Sequence, residues 1–398
     1  MTKRMKMNYL RKILNASLCN KNYSTVVFHA SFSLDDMKDI IEELKDEYHI
    51  KNLIIIDFDN DKVKTFFESE PTEDEIRRFI PKFKNPIGNM KIIYFNNPVT
   101  DLSNEYYSDY SVKYYGLLKQ YNKEVFERIE KADDCDKTVS CYPNKAWAES
   151  LLGDPDLLGE LWVKVYKTLL DPNVERREIV RRIERKDELN KMKIRNLTFH
   201  TDLGTDFRVA LNPHSIWVSE PDGLSSSSSR FNYPSYEIFT SPNCYSGDGK
   251  IVLSKKRRFY YDITVDEATF TFERGKLINC ESNSDTFNKI ILRPSNKMNR
   301  IGEIALVSQN TPLARTGQFY DSVILDENTG CHFALGNSLR ECIGVDDKRL
   351  EERGKRYYHY FTSDYHTDYV FGDDSISVEA ETKSKQKILL MDKGRWKI

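Results

Sequence analysis

L-I-I-I-D at Leu53–Asp57 is a continuous apolar run, and it has companions in T-V-V-F-H at Thr25–His29 and K-I-I-Y-F at Lys91–Phe95. Between the first two lies a stretch of helical period in which Leu34, Met37, Ile40, Ile41 and Leu44 share one face. Ser33 is placed to cap that helix, with Asp36 at its third position. Buried-type strands separated by helices predict an α/β arrangement with a mainly parallel sheet covered on both faces. Toward the N-terminus, Leu10, Ile13 and Leu14 have the spacing of a core-facing helical stripe. The basic residues that precede the first acidic one, Asp35, give this region a faint likeness to an organelle transit peptide. A helix is the plainer reading, since no apolar stretch with a small-residue cleavage site follows. Toward the C-terminus come a long helical pattern from Tyr107 to Ala132, a strand at Thr138–Tyr142 and a helix at Leu157–Leu170 whose apolar positions include Leu158, Leu161, Trp162 and Val165.

A charged helix, from about Val174 to Met192, closes this half. Six basic and five acidic residues interleave between Glu175 and Glu188, so it reads as a solvated helix bridging two domains rather than a nucleic-acid surface. From about Asn196 the pattern changes to short, alternating, aromatic-rich segments. A hairpin is expected where Phe270–Phe272 and Leu277–Ile278 flank Glu273-Arg274-Gly275-Lys276, and the theme repeats around Lys383–Gln386 and Lys393-Gly394. The serines Ser225–Ser229 read as a solvent loop. The sequence therefore predicts two domains, an α/β domain at 1–195 and a β-rich α+β domain at 196–398. A length of 398 residues suits that division.

Composition narrows the function classes. With 60 basic against 62 acidic residues the formal charge is −2, which gives no general attraction to nucleic acid or membrane. The chain is 39% hydrophobic and 31% charged, too apolar for disorder and too polar for a membrane protein. Its seven cysteines are scattered with no C-x-x-C pair, as expected of reduced thiols in the cytoplasm. H-E-x-x-H, the phosphate-cradling G-x-x-x-x-G-K, G-x-S-x-G and the dinucleotide G-x-G-x-x-G are all absent. Any chemistry must then be assembled from residues distant in sequence. Among seven histidines, His366 precedes Asp368 by two positions in Y-H-T-D-Y, and a strand would put both on one face. His332 lies in C-H-F-A-L-G, flanked by Cys331 and Phe333. Imidazole nitrogen with carboxylate oxygen is a ligand set for zinc, cobalt or manganese. The remaining five, His29, His49, His200, His214 and His359, read as structural or exposed.

Longer strings carry a resemblance. G-T-D at Gly204–Asp206, N-Y-P-S-Y-E-I-F-T-S-P at Asn232–Pro242, R-I-G-E-I-A-L-V at Arg300–Val307 and F-Y-D-S-V-I-L-D-E-N-T-G-C-H-F-A-L-G at Phe319–Gly336 occur in that order. C-Y-P-N-K-A-W-A at Cys141–Ala148 precedes them, and H-T-D at His366–Asp368 closes the series. Together they resemble the thermophilic aminopeptidase family, the aminopeptidase T and AmpS type of metallopeptidase. The likeness spans roughly residues 138 to 398 and touches the earlier part only by architecture.

The resemblance implies a site and a reaction. Two divalent cations, of cobalt, zinc, manganese or magnesium, would be held by Glu237, Glu303, His332, His366 and Asp368, with Glu303 as the carboxylate shared by both and the catalytic residue. A water between the ions would attack the scissile carbonyl, releasing the N-terminal residue of peptide substrates. A homodimer and a first domain walling the cleft are likewise implied only by the resemblance. Physical reasoning leans the same way for two ligands: Glu237 sits among Tyr233, Tyr236 and Phe239, and Glu303 is followed by I-A-L-V, poor surroundings for an unpaired charge. One position departs from the family. Leu339 stands where the family carries a tyrosine seven residues after the histidine, and a lost oxyanion partner costs ~2.7 to 4 kcal/mol. Phe361 replaces a further family asparagine, while Tyr357, Tyr358, Tyr360 and Tyr365 lie nearby as compensating candidates. Two classes therefore stay open: a metal-dependent aminopeptidase, and a divergent, weak or inactive member that binds metal and peptide. A protease acting on whole proteins fits less well, because the family members are exopeptidases.

Overall fold

The apolar runs become three neighbouring strands of a five-stranded parallel sheet, in the order Asn52–Ile56 at one edge, Thr25–Ala30, Met90–Asn96, Cys135–Cys141 and Arg230–Tyr233. The structure is a computed structural model and describes residues 2–18, 23–96, 109–130, 135–168, 172–219, 230–259, 263–293, 297–353 and 356–398. Successive residues of Thr25–Ala30 point to opposite faces, yet Val26, Val27 and Phe28 are all buried, because helices cover both sides. Val27, Ile54 and Ile92 pack against Val63 and Phe67 of the helix Asn60–Glu68 and Tyr114 and Leu118 of Asp109–Tyr121. The N-terminal helix Lys3–Leu18 buries the expected Leu10, Ile13 and Leu14, together with Tyr9, whose hydroxyl donates to the Cys141 carbonyl.

Two local expectations fail for identifiable reasons. Ser33 caps no helix: its hydroxyl accepts from Asp35 N in an exposed turn, Leu34 N goes to Asp57 Oδ2 at 2.7 Å, and the helix starts only at Lys38. The single long helix after residue 107 is two, Asp109–Tyr121 and Lys123–Glu130. Asn122 interrupts it, its side chain donating to Pro81 O at 2.9 Å and accepting from Phe83 N at 2.8 Å. Buried amide bonds to a neighbouring segment outweigh helical continuity there. Ser225–Ser229 lie outside the described residues.

The chain divides into two compact units, Met1–Lys167 with Gly223–Tyr233, and Thr168–Asp222 with Pro234–Ile398. The division thus does not fall at residue 195: the charged helix Pro172–Met192 belongs to the second unit and the fifth parallel strand to the first. That helix is not solvated all round, since Arg182 is buried with its guanidinium donating to Ser235 O, and Arg185 lies over the Trp396 ring at 5.3 Å.

The second unit is β-rich and antiparallel. Eight strands pair in the order Lys276–Ser282, Ala268–Glu273, Asp248–Val252, Asp206–Ala210, Ile194–His200, Ser377–Thr382, Lys387–Asp392 and Arg395–Trp396. The expected hairpin forms, with Arg274 and Gly275 both at positive φ (48° and 72°) as a tight right-twisted turn requires. Lys393 and Gly394 repeat it at φ 47° and 66°. A second sheet of four strands runs in the order His366–Val370, His332–Gly336, Ile301–Leu306 and Ile238–Thr240. One face of it, with Phe333, Leu335, Ile304, Leu306 and Tyr369, packs into the unit's main core beside Phe270 and Phe287. No helix of the described residues is long and apolar enough to cross a membrane.

Candidate metal centre

Every residue of Ile301–Leu306 and of His332–Gly336 is buried, so the face of the four-stranded sheet opposite the core is enclosed too. An apolar filling would be expected there, yet this face carries acids. Register explains how they meet. Ala334 lies opposite Glu303 on one side and Asp368 on the other, and Ala305 lies opposite His332 and Phe239. The side chain between the Glu303 and Asp368 carboxylates is only the methyl group of Ala334. Glu237 enters one position before the strand Ile238–Thr240, and His366 opens the strand His366–Val370.

The five residues predicted from sequence fall into two groups with one member in common. Glu237, Glu303 and His332 offer ligand atoms within 4.8 Å of one another, and so do Glu303, His366 and Asp368. His332 Nε2 lies 3.0 Å from Glu237 Oε2 and 4.0 Å from Glu303 Oε1. His366 Nε2 lies 2.9 Å from Glu303 Oε2 and 3.5 Å from Asp368 Oδ1. Each imidazole meets a backbone carbonyl with its other nitrogen, His332 Nδ1 to Gly330 O at 3.3 Å and His366 Nδ1 to Asn337 O at 2.9 Å. A proton on Nδ1 thus turns each Nε2 toward the acids.

Charge crowding shows in the titration of the metal-free cluster. Burial pushes Glu303 up to about 7, against the pull of His366. Burial would lower His332, but the hydrogen bond and charge of Glu237 carry it to about 10. His366 is opposed by burial in the same way, and Asp368 and Glu303 raise it well above an ordinary histidine. Asp368 is disfavoured by burial yet held at about 2 by the His366 charge. Protons on two imidazoles are what the acids use in place of a cation. Oxygen and imidazole donors, buried and convergent, fit divalent ions of the zinc, cobalt and manganese kind.

Sequence reasoning missed Glu327. It is buried, and its carboxyl is raised far above normal, first by burial and then by the charges of Glu237 and Asp368, so it belongs to the same electrostatic cluster. Its signal was the D-E-N string at Asp326–Asn328. The flanking members have clear tasks: Asp326 accepts from Tyr320 N at 2.8 Å and Ser322 N at 2.9 Å, which shapes the loop. Asn328, fully buried, accepts from Tyr236 N and donates to Pro234 O and Ile324 O, clamping the turn that delivers Glu237.

Leu339 packs its side chain against Phe239, Ala305 and Cys342. Of the nearby tyrosines, Tyr357 and Tyr365 are exposed, Tyr358 is buried against His214, and Tyr360 hydrogen-bonds Asn337. Phe361 holds the loop by its backbone, N to Ser338 Oγ at 3.0 Å. Among the histidines set aside, His29 is half-buried, and desolvation with the Lys119 charge brings it to about 4.

Comparison with known proteins adds to this geometry. The thermophilic metalloprotease (M29) family model matches residues 88–396. Aminopeptidase 2 of Geobacillus stearothermophilus is 26% identical over 270 residues, 64% of this chain and 63% of that protein. Aminopeptidase PepS of Streptococcus thermophilus is 23% identical over 69% of each chain. Aminopeptidase T of Thermus aquaticus is 23% identical over 66% of this chain and 65% of its own. The chain thus spans about 63% of the length of the first of these relatives. Wild-type AmpT from Thermus thermophilus has the same fold, with a TM-score of 0.76 at 18% identity over the whole of both chains. A 2,5-dihydroxypyridine dioxygenase from Pseudomonas putida is similar at a TM-score of 0.50 and 14% identity over 99% of this chain and 100% of its own. Because the fold supports more than one chemistry, function has to be argued from the site.

Proposed function

The chain belongs to the thermophilic metalloprotease (M29) family, and from that premise we propose that it is a metal-dependent aminopeptidase removing the N-terminal residue of peptides. The observation that carries this reading is Glu303, common to both groups of potential ligands. Glu237, Glu303 and His332 would hold one divalent ion, and Glu303, His366 and Asp368 a second. With Glu327 the cluster has four carboxylates, whose charge two divalent ions would balance. When bound, such ions supply an activated water and polarise the scissile carbonyl. The protein's part is to fix the donors. The Gly330 and Asn337 carbonyls orient the two imidazoles, and the buried strands exclude bulk water. Glu327, raised by burial and by the charges of Glu237 and Asp368, is the proposed acid–base residue: ionised once cations offset those charges, it would take up a proton from the attacking water and return it to the leaving amine.

Peptides with a free α-amino group are the proposed substrates, in a cytoplasmic enzyme that works as a homodimer. Cys141, Cys244, Cys280, Cys331 and Cys342 are free, buried thiols, which supports a reducing compartment. Leu339 favours slow turnover, since it brings no hydroxyl to the sheet face that carries Glu303 and His332. The test is amino-acid release from short unblocked peptides and from the same peptides N-acetylated. Release from the unblocked set alone supports the proposal, and cleavage of both sets or of internal bonds overturns it.

A further inference from the structure

We propose that Gly302 is a positioning residue of the metal centre, its missing side chain letting the turn at Asn337 close onto the strand Ile301–Leu306 so that the Asn337 carbonyl orients His366. The inference rests on the reading of His366 as a ligand and goes beyond it. Ile301 lies opposite Leu335 and Glu303 opposite Ala334, so Gly302 is the extra residue of a β-bulge. A Cβ at 302 would sit 2.2 Å from Asn337 O, 2.6 Å from Asn337 C and 2.6 Å from Gly336 O. All three are backbone atoms, which cannot swing aside as a side-chain tip could. The turn is fixed from its other side as well. Gly336, at φ 113°, has the Tyr365 carbonyl 2.1 Å from where its own Cβ would be, and Asn337 N donates to that carbonyl at 2.7 Å. Gly336 N donates to Arg300 O at 2.9 Å.

Held in this way, Asn337 O meets His366 Nδ1 at 2.9 Å, and the ring presents Nε2 to Glu303 and Asp368. A histidine whose Nδ1 proton has lost its acceptor is free to rotate or to change tautomer, and outer partners of this kind are worth about 10- to 100-fold in metal affinity. The Asn337 side chain serves a separate purpose: Oδ1 accepts from Ser363 N at 3.1 Å and Nδ2 donates to Ser338 O at 2.8 Å. Backbone and side chain can therefore be tested apart.

The experiment titrates cobalt(II) alone into the metal-stripped full chain and compares wild type, Gly302→Ala, Asn337→Ala, His366→Ala and the double variant Gly302→Ala/His366→Ala. Gly302→Ala is expected to weaken cobalt binding about 10- to 100-fold. Added to His366→Ala it should cost no more than about a further twofold, and Asn337→Ala should stay within about twofold of wild type. A Gly302→Ala affinity equal to wild type overturns the proposal. So does a loss that adds in full to that of His366→Ala, which would mean the glycine acts through Glu303 or the strand as a whole. Should Gly302→Ala not fold, the wild-type chain with ¹⁵N-labelled histidine and zinc decides the matter: the account requires the proton of the His366 ring on Nδ1, and a proton on Nε2 overturns it. A wild-type chain that takes up no cobalt or zinc overturns the metal-centre reading itself, and this inference with it.

Discussion

Raising the pH destabilises the metal-free protein, and the two cluster histidines set the slope. In the folded state His332 keeps its proton to about 10 and His366 is likewise raised, whereas both would titrate near 6.5 once unfolded. A group with a raised folded pKa contributes its full stabilisation below the unfolded value and loses it as pH climbs toward the folded one. Glu303, at about 7 against an ordinary 4.5, has the same sign in a lower window. Between pH 7.5 and 8.5 each fully counted histidine binds one proton more in the folded chain, a slope of about −1.4 kcal/mol per pH unit. His332 is 1% exposed and counts in full, whereas His366 is 29% exposed and partly screened. The two histidines therefore contribute between about −1.4 and −2.7 kcal/mol per pH unit, and Glu327, raised in the folded chain, adds in the same direction, together a large part of a typical stability of about 5–15 kcal/mol. Buried thiols add a background of the same sign, Cys244 being pushed up to about 11 and Cys141, Cys280 and Cys331 to about 12. Metal-loaded protein carries the same thiols but no protons on the Nε2 atoms of the two imidazoles, so the difference between the two slopes isolates the cluster. Urea unfolding followed by circular dichroism, with EDTA or with excess cobalt, measures both. By reciprocity cobalt uptake at pH 8 releases at least one proton where ordinary histidines would release almost none. Equal slopes with and without metal, or uptake without proton release, would refute the reasoning.

Three substitutions probe the supports of the site. Asn328→Ala frees the turn before Glu237 and leaves Tyr236 N and two carbonyls without their amide partner, so unfolding free energy falls by about 1–3 kcal/mol; cobalt affinity should fall with it, and urea and metal titrations check both. Phe270, fully buried with ring centroids 5.3 Å from Phe333 and 5.0 Å from Tyr369, backs the strands that carry His332 and Asp368. Phe270→Ala is expected to cost about 3–5 kcal/mol in urea unfolding. Leu339→Tyr, placing a hydroxyl beside Ala305 and Phe239, should raise kcat by up to about 100- to 1,000-fold if an oxyanion donor is what the site lacks; steady-state kinetics read the outcome, and an unchanged kcat removes that explanation of Leu339.

What the sequence disclosed follows how locally each feature is determined. The runs at Thr25–His29 and Lys91–Phe95 were legible because a strand covered on both faces is apolar at nearly every position, and the hairpins because Arg274-Gly275 and Lys393-Gly394 supply the left-handed pair that the turn needs. The break at Asn122 was not, since its partners Pro81 and Phe83 lie about forty residues away. Arg182 read as one more charge on a solvated helix because nothing nearby announces its bond to Ser235. At the site, Glu237 and Glu303 betrayed themselves by their apolar surroundings, and His366 and Asp368 by strand spacing. That these meet His332 at one place is a matter of strand register, which spacing along the chain does not encode, so the sequence reached it only through the family resemblance. Glu327 sits in a single 3-10 turn without periodicity, and only its buried neighbours reveal it.

The most direct measurement is amino-acid release from one unblocked peptide by the metal-stripped chain, before and after cobalt is restored, in wild type and Glu303→Gln. The account predicts no release without metal, recovery with it in the wild type, and a variant slower by at least about 1,000-fold, as loss of several kcal/mol of transition-state stabilisation requires. Release that persists in EDTA, or a Glu303→Gln chain as active as wild type, would contradict it.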